Sequence, residues 1–165
     1  MAIDKIQSES INLADNFAFT GTVTGAGGVN TPAFLVSKAS DQSVSNGTST
    51  KVLLDSTVYD TASAFSSNKF TVPSGKDGVY FFHFGVITNE NISGNKFQAG
   101  IRVNGGEVAF TANSGGSGSY RAGITLSALA NLSAGDYVDV TIFQQYGTVT
   151  VGGGSFCNFQ GFRIS

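Results

Sequence analysis

The sequence predicts an all-β protein: a jelly-roll β-sandwich with an extended N-terminal arm. Three observations predict it. The 165 residues include 22 Gly, 20 Ser, 15 Thr and 14 Phe, with few Leu, Glu and Lys, so strand formers abound and helix formers are scarce. The apolar fraction is 41% and the charged fraction 12%, which supports a core and excludes a disordered chain. From Pro32 onward, short apolar runs alternate with turn signals, some eight to ten times in roughly 135 residues, the density of a sandwich.

Taken in order, residues 1–24 read as an arm. Ile3, Ile6, Ile11 and Leu13 fit neither the helical nor the strand period. Phe17, Phe19, Gly21 and Val23 then alternate with Ala18, Thr20, Thr22 and Thr24, a strand pattern. Gly25-Ala26-Gly27-Gly28 is a linker, because Gly is costly to order. The chain thus divides into 1–31, arm and linker, and 32–165, a head. A segment this short cannot bury Phe17 and Phe19 by itself. Ile11, Leu13, Phe17, Phe19 and Val23 are therefore the expected anchor onto a larger assembly.

In the head, strands are expected at Pro32–Val36, Lys51–Leu54 and Lys69–Pro73. Val79–Thr88 is the strongest, entered through the turn Ser74-Gly75-Lys76-Asp77-Gly78. Phe97–Val103 leads into Asn104-Gly105, a hairpin signal, with Glu107–Thr111 returning. A Gly/Ser loop at 114–119 precedes strands at Tyr120–Leu129, Tyr137–Gln145 and Phe156–Ile164.

Several function classes are excluded. Net charge is −2 and the nine basic residues are dispersed from Lys5 to Arg163, so no basic stripe suits a nucleic acid. No run approaches the ~20 apolar residues of a membrane span. Cys157 stands alone, which rules out an intrachain disulfide and suits synthesis in a reducing cytoplasm. The N-terminus lacks a signal-peptide apolar segment. His83 and Cys157 have no nucleophile–base partners, Gly75-Lys76 lacks the spacing of a phosphate loop, and no His or Cys pair has metal spacing. Asp55, Asp60, Asp136 and Asp139 are the carboxylates available to Ca²⁺, and they read as solvated turn residues. No catalytic, cofactor or metal site is expected, and the chain does not read as an enzyme.

Six passages, in order, resemble the complement globular-head family with its tumour-necrosis-factor-like jelly roll. They are Pro32-Ala33-Phe34; Tyr59 with Phe70-Thr71-Val72-Pro73; Gly78-Val79-Tyr80-Phe81-Phe82-His83-Phe84; Val103-Asn104-Gly105; Leu132-Ser133-Ala134-Gly135-Asp136-Tyr137-Val138; and Phe159-Gln160-Gly161-Phe162-Arg163-Ile164. The resemblance covers 32–165 and implies a non-enzymatic homotrimer that binds partners through outer loops. Residues 5–25 are similar to the opening of fibre and surface proteins of tailed bacterial viruses. No Gly-X-Y stalk precedes Pro32.

On the aromatic strand, Tyr80, Phe82, Phe84 and Val86 share one face; Phe81, His83, Gly85 and Ile87 share the other. Both faces are apolar, so both are expected to be buried. One fills the sandwich; the other, with Phe159 and Phe162, is expected to meet sister subunits, as the resemblance implies. The expected protein is a homotrimeric virion structural protein on the particle surface. It serves as capsid decoration (cement) or a short spike, is made in the host cytoplasm, and is held to capsid or tail proteins through 1–24. The alternative is a tail-fibre tip whose loops take a host surface ligand. A polysaccharide hydrolase is the third reading, and it lacks a catalytic constellation.

Overall fold

The computed structural model describes residues 31–92, 94–114 and 121–165. Residues 1–30, including the anchor candidates Ile11, Leu13, Phe17, Phe19 and Val23, lie outside the described residues, as does most of the Gly/Ser loop. Thirteen strands are described: β1 (Ala33–Lys38), β2 (Gln42–Val44), β3 (Thr50–Lys51), β4 (Ser56–Asp60), β5 (Phe65–Ser66), β6 (Lys69–Thr71), β7 (Gly78–Asn91), β8 (Lys96–Val103), β9 (Gly106–Ser114), β10 (Arg121–Leu132), β11 (Tyr137–Gln144), β12 (Val149–Val151) and β13 (Gly154–Arg163). None of the described residues forms a helix long and apolar enough to cross a membrane.

Two antiparallel sheets form the sandwich. The first runs β2-β12-β7-β13-β1-β4, with β10 on the other side of β7; the second runs β5-β6-β11-β8-β9, with β3 also on β11. Neighbours in space are far apart in sequence, as β1 on β13 shows, so the ends of the head are tied together. Along β1 and β10 buried residues alternate with exposed or half-exposed ones, the period-two signature of a sheet with one covered face.

The core between the sheets is aromatic. Phe34, Phe70, Tyr80, Phe82, Phe84, Phe97 and Phe159 are fully buried. Phe34 stacks on Phe70 at 4.9 Å and meets Phe159 edge-on at 5.1 Å. Phe82 stacks on Phe159 at 5.9 Å. Buried polar side chains find partners inside the sandwich: Gln144 Nε2 donates to the carbonyls of Val44 and Gly147, and Thr88 Oγ1 accepts from Ala122 N. Lys38, also buried, donates through Nζ to the Leu53 carbonyl at 2.8 Å and to Gln42 Oε1.

The expected strand at Lys51–Leu54 stops at Lys51. Beyond it, Val52 and Leu54 still enter the core, and Val52 N still donates to the Val140 carbonyl of β11 at 3.0 Å, but side chains serve the rest of this backbone. Gln42 accepts from Leu53 N and donates to the Lys51 carbonyl, and Asn68 Oδ1 accepts from Leu54 N at 2.7 Å. Strands β2, β4, β5 and β12 are additional to those expected; they are short, and only pairing with neighbours distant in the chain or across a turn makes them strands.

Candidate binding surfaces

The open face of the first sheet is assembled by register. Opposite Phe81 on β7 stand Leu129 on β10 and Phe162 on β13, and Phe162 in turn faces Ala33 on β1. The Phe81 and Phe162 rings lie 5.5 Å apart. One row along, Ser127, His83, Gln160, Leu35 and Tyr59 line up across five strands. The result is an apolar row beside a mixed row on a single surface.

The face expected to meet sister subunits is open in the single protomer, and Phe159 is corrected from it to the core. The Phe81 face is not buried within one chain: Leu129 is 66% and Phe162 38% exposed, and Phe81 and His83 are half-exposed. The sandwich has two layers, so none of the described residues covers this face. Phe159 does not share it. It is fully buried against Phe82 and Phe34, because β13 alternates and Phe162, three residues on, falls on the opposite side. Tyr80, Phe82 and Phe84 are core residues.

The residues weighed for chemistry are held in structural roles. His83 Nδ1 lies 3.0 Å from Ser127 Oγ, a cross-strand pair on the open face. Cys157 is fully buried, and that burial pushes its thiol pKa up to about 12, so it behaves as a small apolar residue. Asp55 accepts from Ala39 N; Asp60 caps Ala62 N and Phe65 N. Arg102 grips both oxygens of Asp139 at 2.8 and 2.9 Å, with Lys51 at 3.5 Å. That hydrogen bonding raises the Arg102 pKa further, against some desolvation. Asp136 accepts from Asn104 Nδ2 and Ser133 N, which lowers its pKa below the ordinary aspartate value. Among the described residues no three of His, Cys, Asp and Glu converge as a metal site would require.

The outer face of the second sheet holds a feature that the sequence reading missed. Phe110 on β9 stands opposite Gly100 on β8, with Thr141 on β11 across from Gly100 on the other side. Phe143 faces Gln98 one row away. Together with Ser49 and Glu107 these residues line a cup of about 320 Å³. Phe110, embedded in Glu107–Thr111, reads in the sequence as an ordinary strand residue. Its outward direction follows from the register with β8 alone.

Two packed antiparallel sheets, with the first described strand paired to the last and an open aromatic face among the described residues, define a jelly-roll domain. The C1q domain family matches residues 33–164, and the chain belongs to that family. Domains of the C1q and tumour-necrosis-factor-like type are typically non-enzymatic binding modules and commonly form homotrimers. Among solved structures, the globular domain of zebrafish complement 1qA protein is similar, with 19% identity and a TM-score of 0.60 over 81% of this chain and 98% of that one. The Eiger TNF of S. frugiperda is similar too, with 13% identity and a TM-score of 0.62 over 81% and 92%. A search of curated protein sequences finds no match.

Proposed function

We propose that this chain is a homotrimeric surface protein of a virus particle, a capsid decoration or short spike made in the host cytoplasm. Residues 32–165 form the head, and residues 1–31 form an arm and linker that join it to capsid or tail proteins. The observation that carries the trimer is the open apolar row of Leu129, Phe81 and Phe162. Burying side chains of this size gains about 1.5–3 kcal/mol each, and an obligate interface of this kind covers roughly 2,000 Å² or more. What supports the particle setting is sequence alone: the resemblance of residues 5–25 to viral surface proteins. Light scattering of the full chain should give three times the 17.0 kDa protomer mass. A monomer at micromolar concentration overturns the trimer. Antibody labelling of intact particles, viewed by electron microscopy, tests the location, and unlabelled particles overturn it.

The alternative, a tail-fibre tip recognising a host surface, is favoured by one observation. The cup around Gly100 lies on the sheet opposite the proposed trimer face and stays open in such a trimer.

A further inference from the structure

We propose that the cup on the outer face of the second sheet is a saccharide site that takes a neutral pyranose unit. Its floor is Gly100. A side chain there would come within 2.5 Å of Glu107 Oε1 and 3.2 Å of Thr141 Oγ1, so a carboxylate and a hydroxyl converge over bare backbone. Phe110, 61% exposed, stands directly opposite it on β9, and Phe143 lies one row away. The volume, about 320 Å³, lies at the low end of the roughly 300–1,000 Å³ typical of small-molecule sites, which suits one sugar ring.

The chemistry of the lining matches a pyranose on both its sides. A sugar ring has a face of C–H bonds, slightly positive, that rests against an aromatic face, and a rim of hydroxyls that donate and accept. Phe110 and Phe143 offer the rings. Gln98 supplies donors and an acceptor, Thr141 supplies one of each kind, and Glu107 accepts. Among the described residues none of these three side chains makes a hydrogen bond, and the Glu107 carboxylate faces Arg102 by charge alone, so its oxygens can still accept.

Charge selects among sugars. Arg102 and Lys51, the cations nearest the floor, are committed to Asp139. Lys96 lies over the Phe143 ring, 5.7 Å from its centroid, and is not a lining residue of the cup. The Glu107 carboxylate over the floor interacts with Arg102, its partner in register, so the lining offers no surplus cation to hold an acidic sugar. The display of three cups on one head, with the avidity that brings, rests on the trimer reading; the cup itself does not.

Saturation-transfer difference NMR on the full chain, with lactose, maltotriose, chitotriose and glucuronic acid as separate probes, tests the site. At least one neutral probe should receive saturation, and glucuronic acid should not. Phe110→Ala removes an exposed ring and should weaken binding about tenfold or more without lowering the melting temperature. Gly100→Ala should do the same, because only the flexible end of Glu107 and the Thr141 hydroxyl must give way. No signal from any neutral probe at about 10 mM overturns the proposal, as does signal from glucuronic acid alone or binding retained in both variants. A change of mass on Phe110→Ala, read by light scattering, also overturns it, since a second copy would then cover the cup. A monomer that still binds sugar sustains the cup and sinks the trimer.

Discussion

Gly161 shows how much one residue decides in this fold. It lies on β13 between the rings of Phe34 and Phe82, and a Cβ there would meet Phe82 Cδ1 at 2.6 Å and Phe34 Cε1 at 3.0 Å. Both rings are fully buried and locked by their neighbours, so neither can give way. Gly161→Ala should therefore lower stability by about 1–3 kcal/mol, measured by denaturant unfolding. Asp136 makes a pH-dependent contribution. Its carboxylate holds Ser133 N at 2.8 Å and Asn104 Nδ2 at 2.8 Å, which ties the 133–136 turn to the Asn104-Gly105 hairpin. Because its folded pKa is lowered, this stabilisation is present above the ordinary aspartate value and is lost as pH falls through the lowered one. A carboxyl NMR titration should place Asp136 below a model aspartate, with the Ser133 amide shifting in step. In Asp136→Asn that amide should not titrate.

Among the elements, β7 is the spine. It pairs with β10 on one side, with β13 and then β12 on the other, and sends Tyr80, Phe82, Phe84 and Val86 into the core. Phe82→Ala should cost about 3–5 kcal/mol, seen as a lower denaturation midpoint, because Phe34, Phe70, Tyr80 and Phe159 all border the space it would leave. The β8–β9 hairpin turns at Asn104 and Gly105, whose φ angles of 51° and 83° place both in the left-handed region that a two-residue turn of this hand needs. That geometry sets the register which brings Phe110 across from Gly100.

At the scale of the whole molecule, the first sheet's open face and the arm carry the remaining predictions. Phe81→Asp with Phe162→Asp places two charges on the exposed apolar row and leaves the core untouched. Light scattering should then give a folded protomer of 17.0 kDa in place of the trimer, with circular dichroism unchanged. An unchanged trimer mass would move the interface elsewhere. Deleting residues 1–24 should leave the melting temperature of the head intact and abolish its incorporation into particles. Truncated protein found on particles at normal copy number would remove the arm as anchor, and a lowered melting temperature would make it an extra part of the head.

The sequence by itself determined the strand content, the main strands and the division of β7 into two faces, because alternation and turn residues are local signals. Val79–Thr88 could be read directly from its residues, and so could the Asn104-Gly105 turn. Only tertiary structure decided what those faces meet. Phe159 and Phe162 look alike in the sequence, yet one is sealed among Phe34 and Phe82 while the other lies open beside Phe81. Lys51–Leu54 has the composition of a strand, but beyond the Val52 bond to β11 its amides are satisfied by Gln42 and Asn68 from other segments. The cup likewise has no local signature. Gln98, Gly100, Glu107, Phe110, Thr141 and Phe143 become neighbours only through the pairing of β9, β8 and β11, and register between distant strands is a property of the folded sheet.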